Sequence, residues 1–318
     1  MSISLPNYVK IVLLSLFFIN AISCESKVNN KNKYIIDRFE LQFYNSNSKE
    51  LIEVKKKYPY FFPKSYPDSV WINRLVDPIQ QEIFNEVNKK YKSVDFLETE
   101  LFDFFKKNRE LNKTFIEPKV ITINTDVDYK NKIILADSLL LIGLDNYLGT
   151  NHHFYEGIPL YIREDLNSVN IISDIAEQFA YSFVPKKEIY TFLDKIIYYG
   201  KILYYKDLTT NLSDRYKIGY SKDKIKWAIE NEYFVWTFFV ENNILFSPDN
   251  ILNNRFINDA PFSKFYLELD NNSSEMIGKY IGWQIVKSYM NNNDVSYIKL
   301  LENSPADIYN NSKYKPKK

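Results

Sequence analysis

Cysteine and histidine are almost missing from this chain of 318 residues. The single cysteine, Cys24, cannot form a disulfide within the chain, which excludes a fold held together by disulfides. The two histidines, His152 and His153, are adjacent in a predicted loop, and neighbouring side chains of an extended chain point in opposite directions. We therefore expect no metal site, and in particular no zinc site.

Glycine and net charge are also low. With only 7 glycines, the chain has no glycine-rich phosphate loop, and no serine stands in the G-x-S-x-G pattern of many hydrolases. The 41 basic and 40 acidic residues leave a net charge of +1, which gives no overall field that would attract nucleic acid. We predict no cofactor, no nucleic-acid partner and no catalytic residue.

The N-terminus carries a short apolar run. Lys10 precedes the apolar residues 11–19, and small residues follow up to Cys24. This order is typical of a secretory signal, and the run is too short to span a bilayer. Residues 21–24 resemble a bacterial lipobox, so we predict a lipoprotein signal peptide over 1–23 and acylation of Cys24. The alternative is an incidental thiol in a signal that is removed whole.

Polar residues without periodicity follow Cys24, and we interpret 24–34 as the lipidated cysteine and a tether. The remaining residues, 35–318, are numerous enough to bury a large core. Helical spacing of apolar residues dominates them, while 120–123 and the apolar run 133–144 have the composition of strands. We predict one α+β domain, predominantly helical, with a small β-sheet.

A helix predicted from about Asn170 carries the best candidate for a functional residue. Strands that lead into a helix hold the H-E-x-x-H motif of zincin metallopeptidases, in which two histidines bind zinc and the glutamate activates water. Here Glu177 occupies the glutamate position, but Ala176 and Ala180 occupy the ligand positions. We interpret the domain as a degenerate zincin-like scaffold in which Glu177 lies in a possible cleft.

Two other segments are candidates for binding a cation or for binding a glycan or peptide. Asp126 and Asp128 form a D-x-D pattern, but the further oxygen ligands and the glycine of a calcium loop are missing, which favours a solvated turn. Aromatic residues alternate with prolines over 58–71, a pattern that predicts an extended and rigid loop. We expect most of its rings to pack against their own domain, although exposed rings would suit a glycan or a peptide.

Several segments, in their order and spacing, resemble the gliding-motility lipoproteins of the GldB family. They are 58–63 with 67–71, 128–138 with 143–149, 255–265, and 282–290. The resemblance implies a lipid-anchored protein of the cell envelope that is required for surface gliding, a movement coupled to secretion. It also implies a distant similarity to zinc peptidases, with Gly282 and Trp283 near the C-terminal helix.

The resemblance and the missing zinc ligands together predict a non-enzymatic accessory or assembly component of the gliding apparatus. We expect it to be exported, to face the periplasm, and to contact the lipid bilayer through Cys24 and the gliding or secretion machinery through its domain. One alternative is an envelope hydrolase of glycans or peptides that uses Glu177 and a second carboxylate. Another is a glycan- or peptide-binding module that uses exposed aromatic rings.

Overall fold

A small mixed sheet organises the N-terminal half of the domain. Its strands are β1 (Asp37–Arg38), β2 (Lys119–Ile123), β3 (Ile133–Ala136) and β4 (Leu139–Gly143). The spatial order is β1-β2-β4-β3, with β1 and β4 parallel to β2 and with β3 antiparallel to β4. Val120 and Ile121 point to opposite faces of β2 and are both fully buried, so the sheet is covered on both sides.

The computed structural model describes residues 33–186, 189–268 and 270–318. Fourteen α-helices lie in these residues. They are α1 (Phe39–Tyr44), α2 (Leu51–Lys57), α3 (Asp68–Val76), α4 (Pro78–Lys90), α5 (Asp95–Leu111), α6 (Leu160–Arg163), α7 (Ile171–Phe183), α8 (Phe192–Thr209), α9 (Asp214–Ile218), α10 (Lys222–Glu241), α11 (Ile251–Phe256), α12 (Ile277–Asn292), α13 (Tyr297–Glu302) and α14 (Pro305–Ser312). No described helix combines the length and the apolar character that crossing a bilayer requires.

The residues Tyr34–Lys318 form one compact unit. The predicted fold class is therefore confirmed: one α+β domain that is mostly helical and has a small sheet. The predicted strand at 120–123 is present as β2, and the apolar run 133–144 supplies the hairpin of β3 and β4. Cys24, the predicted signal peptide and most of the predicted tether lie outside the described residues.

Side-chain caps explain where several helices begin. Asp77 accepts hydrogen bonds from the backbone N–H groups of Ile79 at 2.9 Å and Gln80 at 3.0 Å, and Pro78 occupies the first turn of α4. Ser304 caps α14 in the same way. The sequence alone indicates both caps, because each residue directly precedes a proline. Asp294 is a third candidate cap in the sequence, but that prediction is wrong, because Ser296 caps α13 instead.

Helices α8 and α12 approach each other closely enough to require glycine. A Cβ atom added at Gly282 would overlap the backbone carbonyl of Ile196, and one added at Gly200 would overlap the backbone of Gly282. The close packing suggested by Gly200 is thus confirmed, with Gly282 as its partner. Because α7 packs on α8 as well, this crossing fixes the position of the helix that carries Glu177.

Three local predictions are wrong for physical reasons. The alternation over 35–43 predicted a strand, but only β1 pairs with β2, and the following residues form α1 because their aromatic rings pack at helical spacing. The segment 58–71 is not extended, since Pro59–Phe61 forms a 3-10 turn and Asp68 begins α3. The helix predicted over 188–206 begins at Phe192, where Thr191 and Asp194 form a capping box.

Candidate functional site

A cavity of about 500 Å³ opens among the helices α6, α7, α9 and the start of α12. The segment before β3 contributes Tyr129 and Lys132 to its wall, and α7 contributes Asp174 and Glu177. Its volume is within the range of ligand pockets in proteins. We call it the Glu177 cavity.

Glu177 is already held in an ion pair. Lys206 Nζ lies 2.6 Å from Glu177 Oε2 and also donates to Ser173 Oγ at 3.2 Å and to the backbone carbonyl of Lys217 at 2.9 Å. The hydroxyl of Tyr181 donates to the other oxygen, Glu177 Oε1, at 2.7 Å. Burial opposes the charge, but Lys206 and the other donors outweigh it and lower the pKa of Glu177 to about 2. A carboxylate with so low a pKa is a weak proton acceptor near neutral pH.

The two alanines of the motif face the other way. Ala176 and Ala180 are fully buried in the main hydrophobic core, while Glu177, one position along, lines the cavity. The packing of α7 therefore leaves these two positions without any contact with solvent. The zincin-like similarity stays a prediction.

A second ion pair crosses the wall beside Glu177. Lys132 Nζ lies 2.7 Å from Asp174 Oδ2, and the hydroxyl of Tyr147 donates to the same oxygen at 2.8 Å. Burial disfavours the charge of Lys132, but the carboxylates of Asp174 and Asp165 raise its pKa above the ordinary value. The two cations Lys132 and Lys206 are thus fixed by partners in the wall.

Two other carboxyl groups of the cavity have weaker partners. The carboxylate of Asp165 accepts no hydrogen bond from the described residues, and a Cβ atom added at Gly219 would lie 3.5 Å from both of its oxygens. Burial raises the pKa of Asp165 to about 7. Burial also raises the pKa of Glu275 to about 7, although Lys224 lies 3.8 Å from its carboxylate.

The histidines do not belong to the cavity lining. His152 Nε2 lies 3.3 Å from Glu86 Oε2, and His153 Nε2 lies 3.2 Å from Glu82 Oε1, so both contact α4. Their rings stack with centroids 4.5 Å apart, and the expectation that they point in opposite directions is wrong. Among the described residues, no three His, Cys, Asp or Glu side chains are placed to hold one metal ion.

The D-x-D carboxylates have separate partners. Asp126 Oδ2 accepts from Arg74 Nη1 at 3.1 Å, while Asp128 Oδ2 accepts from Asn131 Nδ2 at 2.8 Å. Both aspartates are exposed, as expected for a solvated turn.

The aromatic segment packs mostly on its own domain. Phe62 is buried, Phe61 and Trp71 are partly buried against the second core, and Tyr60 is 43% exposed. One of these four rings is exposed and one is buried, so the segment packs mostly on its own domain as expected.

Gly282 and Trp283 have structural contacts rather than contacts with the cavity. Trp283 is fully buried, and its indole N–H donates to Asp207 Oδ2 at 2.7 Å. The ammonium of Lys287 lies 3.6 Å from the centroid of its ring. The pair therefore stabilises the crossing of α8 and α12.

Sequence reasoning singled out Glu177 but missed the charged residues around it, namely Lys132, Asp165, Asp174, Lys206 and Glu275. Asp174 lies one turn before Glu177 on α7 itself, whereas the other four belong to segments that meet α7 only in the folded chain. Lys206 did carry a signal, because it follows Ile202 and Leu203 at helical spacing on a buried stripe. A lysine on such a stripe requires a buried partner.

Comparison with known proteins gives one match. A family model described as gliding motility protein GldB matches residues 23–316. No curated protein and no solved structure matches the chain significantly.

Proposed function

The chain belongs to the gliding motility protein GldB family, and on this premise we propose that it is a lipid-anchored, non-catalytic component of the gliding apparatus in the cell envelope. The family match covers almost the whole chain and makes it a gliding-motility protein. The finer parts of the proposal are the anchor, the lack of catalysis and the binding of a partner.

The ion pair of Glu177 with Lys206 is the observation that carries the non-catalytic role. A general base works best with a pKa near the working pH, whereas the pKa of Glu177 is about 2. Its two carboxylate oxygens accept from Lys206 at 2.6 Å and from Tyr181 at 2.7 Å. These contacts suit a residue that stabilises a cavity wall. The cavity then serves as a binding site for a protein of the gliding or secretion machinery.

The anchor rests on the N-terminal sequence. The name of the matching family model suggests a lipoprotein. Cys24 also follows an apolar run, in the position of an acylated cysteine. An acyl chain contributes about 0.8 kcal/mol for each buried methylene, so two or more chains hold a protein stably on a bilayer. The domain on such an anchor would face the periplasm.

Replacement of Cys24 by serine tests the anchor. We expect the Cys24→Ser protein to lose acylation, to leave the membrane fraction and to fail to restore colony spreading in a strain that lacks the gene. The Ser23→Ala variant is the matched control and should behave as wild type. Full spreading by a Cys24→Ser protein that is released from the membrane would show that the anchor is dispensable.

An envelope hydrolase is the second candidate. Asp165 and Glu275 line one cavity and both have a pKa of about 7, which is the range of a general acid or base. On this alternative, the purified protein would release fragments from envelope glycans or peptides, and Asp165→Asn would abolish the release. Release that survives both Asp165→Asn and Glu177→Gln would exclude these carboxyl groups as its source.

A further inference from the structure

We infer that the Glu177 cavity binds a primary ammonium group, carried by a lysine side chain or a free amine. The inference rests on the proposed binding role of the cavity and names the chemistry of what enters it. It follows from a comparison of the donors and acceptors in the cavity wall.

Of the four lysines that line the cavity, Lys132, Lys206 and Lys279 have acceptors in the wall, whereas Lys130 is exposed. Lys206 Nζ has three acceptors within 3.2 Å, and Lys132 Nζ lies 2.7 Å from Asp174. Lys279 Nζ lies 3.7 Å from Asp259, and its side chain is only 17% exposed. These cations match the carboxylates next to them, so they add little net charge to the space inside the cavity.

The acceptors on the opposite side lack donors. The Asp165 carboxylate has no hydrogen-bond donor within the described part of the chain. Asn170 also lines the cavity and is only 7% exposed, and its Oδ1 has no donor while its Nδ2 donates to the backbone carbonyl of Asp165 at 3.0 Å. Asp165 is half-buried, so the cost of a buried acceptor without a donor falls on Asn170 Oδ1, and native structures rarely leave such an atom unsatisfied.

Glu275 adds a third acceptor. Its partner Lys224 lies 3.8 Å away, and the ammonium of Lys224 donates to the backbone carbonyls of Ser273 at 2.6 Å and Pro261 at 3.2 Å. Glu275 immediately precedes Met276, which has a φ of 47° and therefore a left-handed conformation that is strained for a residue other than glycine. Strain of this kind concentrates at ligand sites.

A group that satisfies these acceptors brings several N–H donors and a positive charge. A primary ammonium has three donors and no acceptor, so it complements a carboxylate beside an amide oxygen. The rings of Tyr129 and Tyr161 also line the cavity and suit the methylene chain of a lysine.

The charge of Asp165 makes the binding depend on pH. Asp165 is buried beside Lys132, Asp174, Asp259 and Glu275, and the net effect raises its pKa to about 7. A cation binds the ionised form, which increases from about one tenth at pH 6 to about nine tenths at pH 8. Affinity for an ammonium ligand should therefore increase about tenfold over this interval.

The test uses the full-length protein purified in detergent and three probes in ligand-observed NMR titrations. The probes are a blocked Gly-Gly-Lys-Gly-Gly peptide, the same peptide with an acetylated lysine, and 1,5-diaminopentane. We expect the charged peptide to bind at least tenfold more tightly than its acetylated form, because a charge-assisted hydrogen bond contributes about 1.5–3 kcal/mol. Tighter binding of the peptide than of the diamine indicates a protein source for the ammonium, and the reverse indicates a free amine.

Variants assign the binding to the cavity. Asp165→Asn should weaken binding of the charged peptide at pH 8 about tenfold and reduce its dependence on pH to the part that comes from Glu275, and Glu275→Gln should weaken binding less. Asp294→Asn changes an exposed carboxylate outside the cavity and should have no effect. Asparagine has the shape of aspartate and removes a buried charge, so Asp165→Asn should fold.

Equal affinity for the charged and acetylated peptides, no binding of either charged probe, or unchanged binding by Asp165→Asn would each overturn the inference. None of these results affects the proposed role in gliding, which is measured by colony spreading. If a strain that lacks the gene spreads normally, the proposed role in gliding is wrong, whatever the probes bind.

Discussion

At the scale of single residues, the cavity wall combines two satisfied ion pairs with two carboxyl groups whose partners are weak or missing. Lys206 and Lys132 are neutralised by Glu177 and Asp174 at 2.6 and 2.7 Å. Asp165 has no such partner. The wall therefore keeps a half-buried carboxyl group that costs stability when it is ionised, which is common where a protein binds a ligand.

Stability should change with pH through Asp165. Its pKa is about 7 in the folded chain and about 3.8 in the unfolded chain, so the folded state holds more protons between these values. The contribution of Asp165 to the free energy of unfolding must then fall as the pH rises from about 4 to about 7. The full difference corresponds to about 4 kcal/mol, and we expect about 2 kcal/mol because the carboxylate faces a water-accessible cavity.

Denaturant unfolding of Asp165→Asn at pH 5 and pH 8 measures this effect. The variant should be more stable than wild type at pH 8, and its advantage should shrink at pH 5. Asp294→Asn serves as the exposed control. A variant that is less stable than wild type at pH 8 would show that ionised Asp165 has a partner that stabilises it.

The sequence predicted Glu177 as a residue of interest but not its environment. Lys206 lies 29 positions away on the next helix, and the two meet only because α7 packs against α8. No spacing rule connects such residues. The role of Glu177 and the acylation of Cys24 remain predictions.

At the scale of elements, the crossing of α8 and α12 determines where α7 and its glutamate lie. Gly200 and Gly282 remove the side chains that would separate the two helices. The buried indole of Trp283 and its hydrogen bond to Asp207 stabilise the same crossing. Patterns within one helix predicted the helices themselves, but the distance between them depends on both partners.

Gly282→Ala should therefore destabilise the domain strongly. The added Cβ would overlap the backbone carbonyl of Ile196, so the helices must separate and lose contacts, at a cost of about 3 kcal/mol or more. Thermal unfolding checks this expectation, with Gly157→Ala as the control because an added Cβ there meets nothing within 4 Å. Because Gly157 has a positive φ, alanine there is strained, and we expect this control to lose about 1 kcal/mol. Equal losses in the two variants would contradict the close approach.

Local patterns were least reliable where packing between elements decides the conformation. Residues 35–43 alternate as a strand does, but Phe39 and Phe43 stack one helical turn apart with centroids 5.4 Å apart. The prolines over 58–71 predict an extended chain, whereas Pro59 begins a 3-10 turn and Pro67 directly precedes α3. Proline at a first helical turn and proline in an extended loop have the same sequence signature.

At the scale of the whole molecule, the fold class followed from composition and periodicity. Long amphipathic patterns predicted the larger helices, and the β-branched runs predicted β2 and the hairpin. The family match supplies the role in gliding motility, which no single residue of the cavity indicates. The anchor at Cys24, the non-catalytic wall and the binding of a partner remain proposals.

Three variants separate a structural Glu177 from a catalytic one. Glu177→Gln or Lys206→Met alone leaves a charge of the ion pair without its partner and should lower the free energy of unfolding by about 2 kcal/mol. The double variant removes both charges and should regain most of this loss. The exposed pair Lys299 and Glu302, at 3.2 Å, is the matched control, and its double variant should change stability by less than about 0.5 kcal/mol.

Colony spreading by the Glu177→Gln, Lys206→Met double variant, at wild-type protein level in a strain that lacks the gene, tests the non-catalytic role most directly. Because Glu177 stabilises the wall and performs no chemistry in this account, we predict spreading equal to wild type. A double variant that is stable, abundant and membrane-anchored but does not restore spreading would contradict the account, because the ion pair would then do more than stabilise the wall.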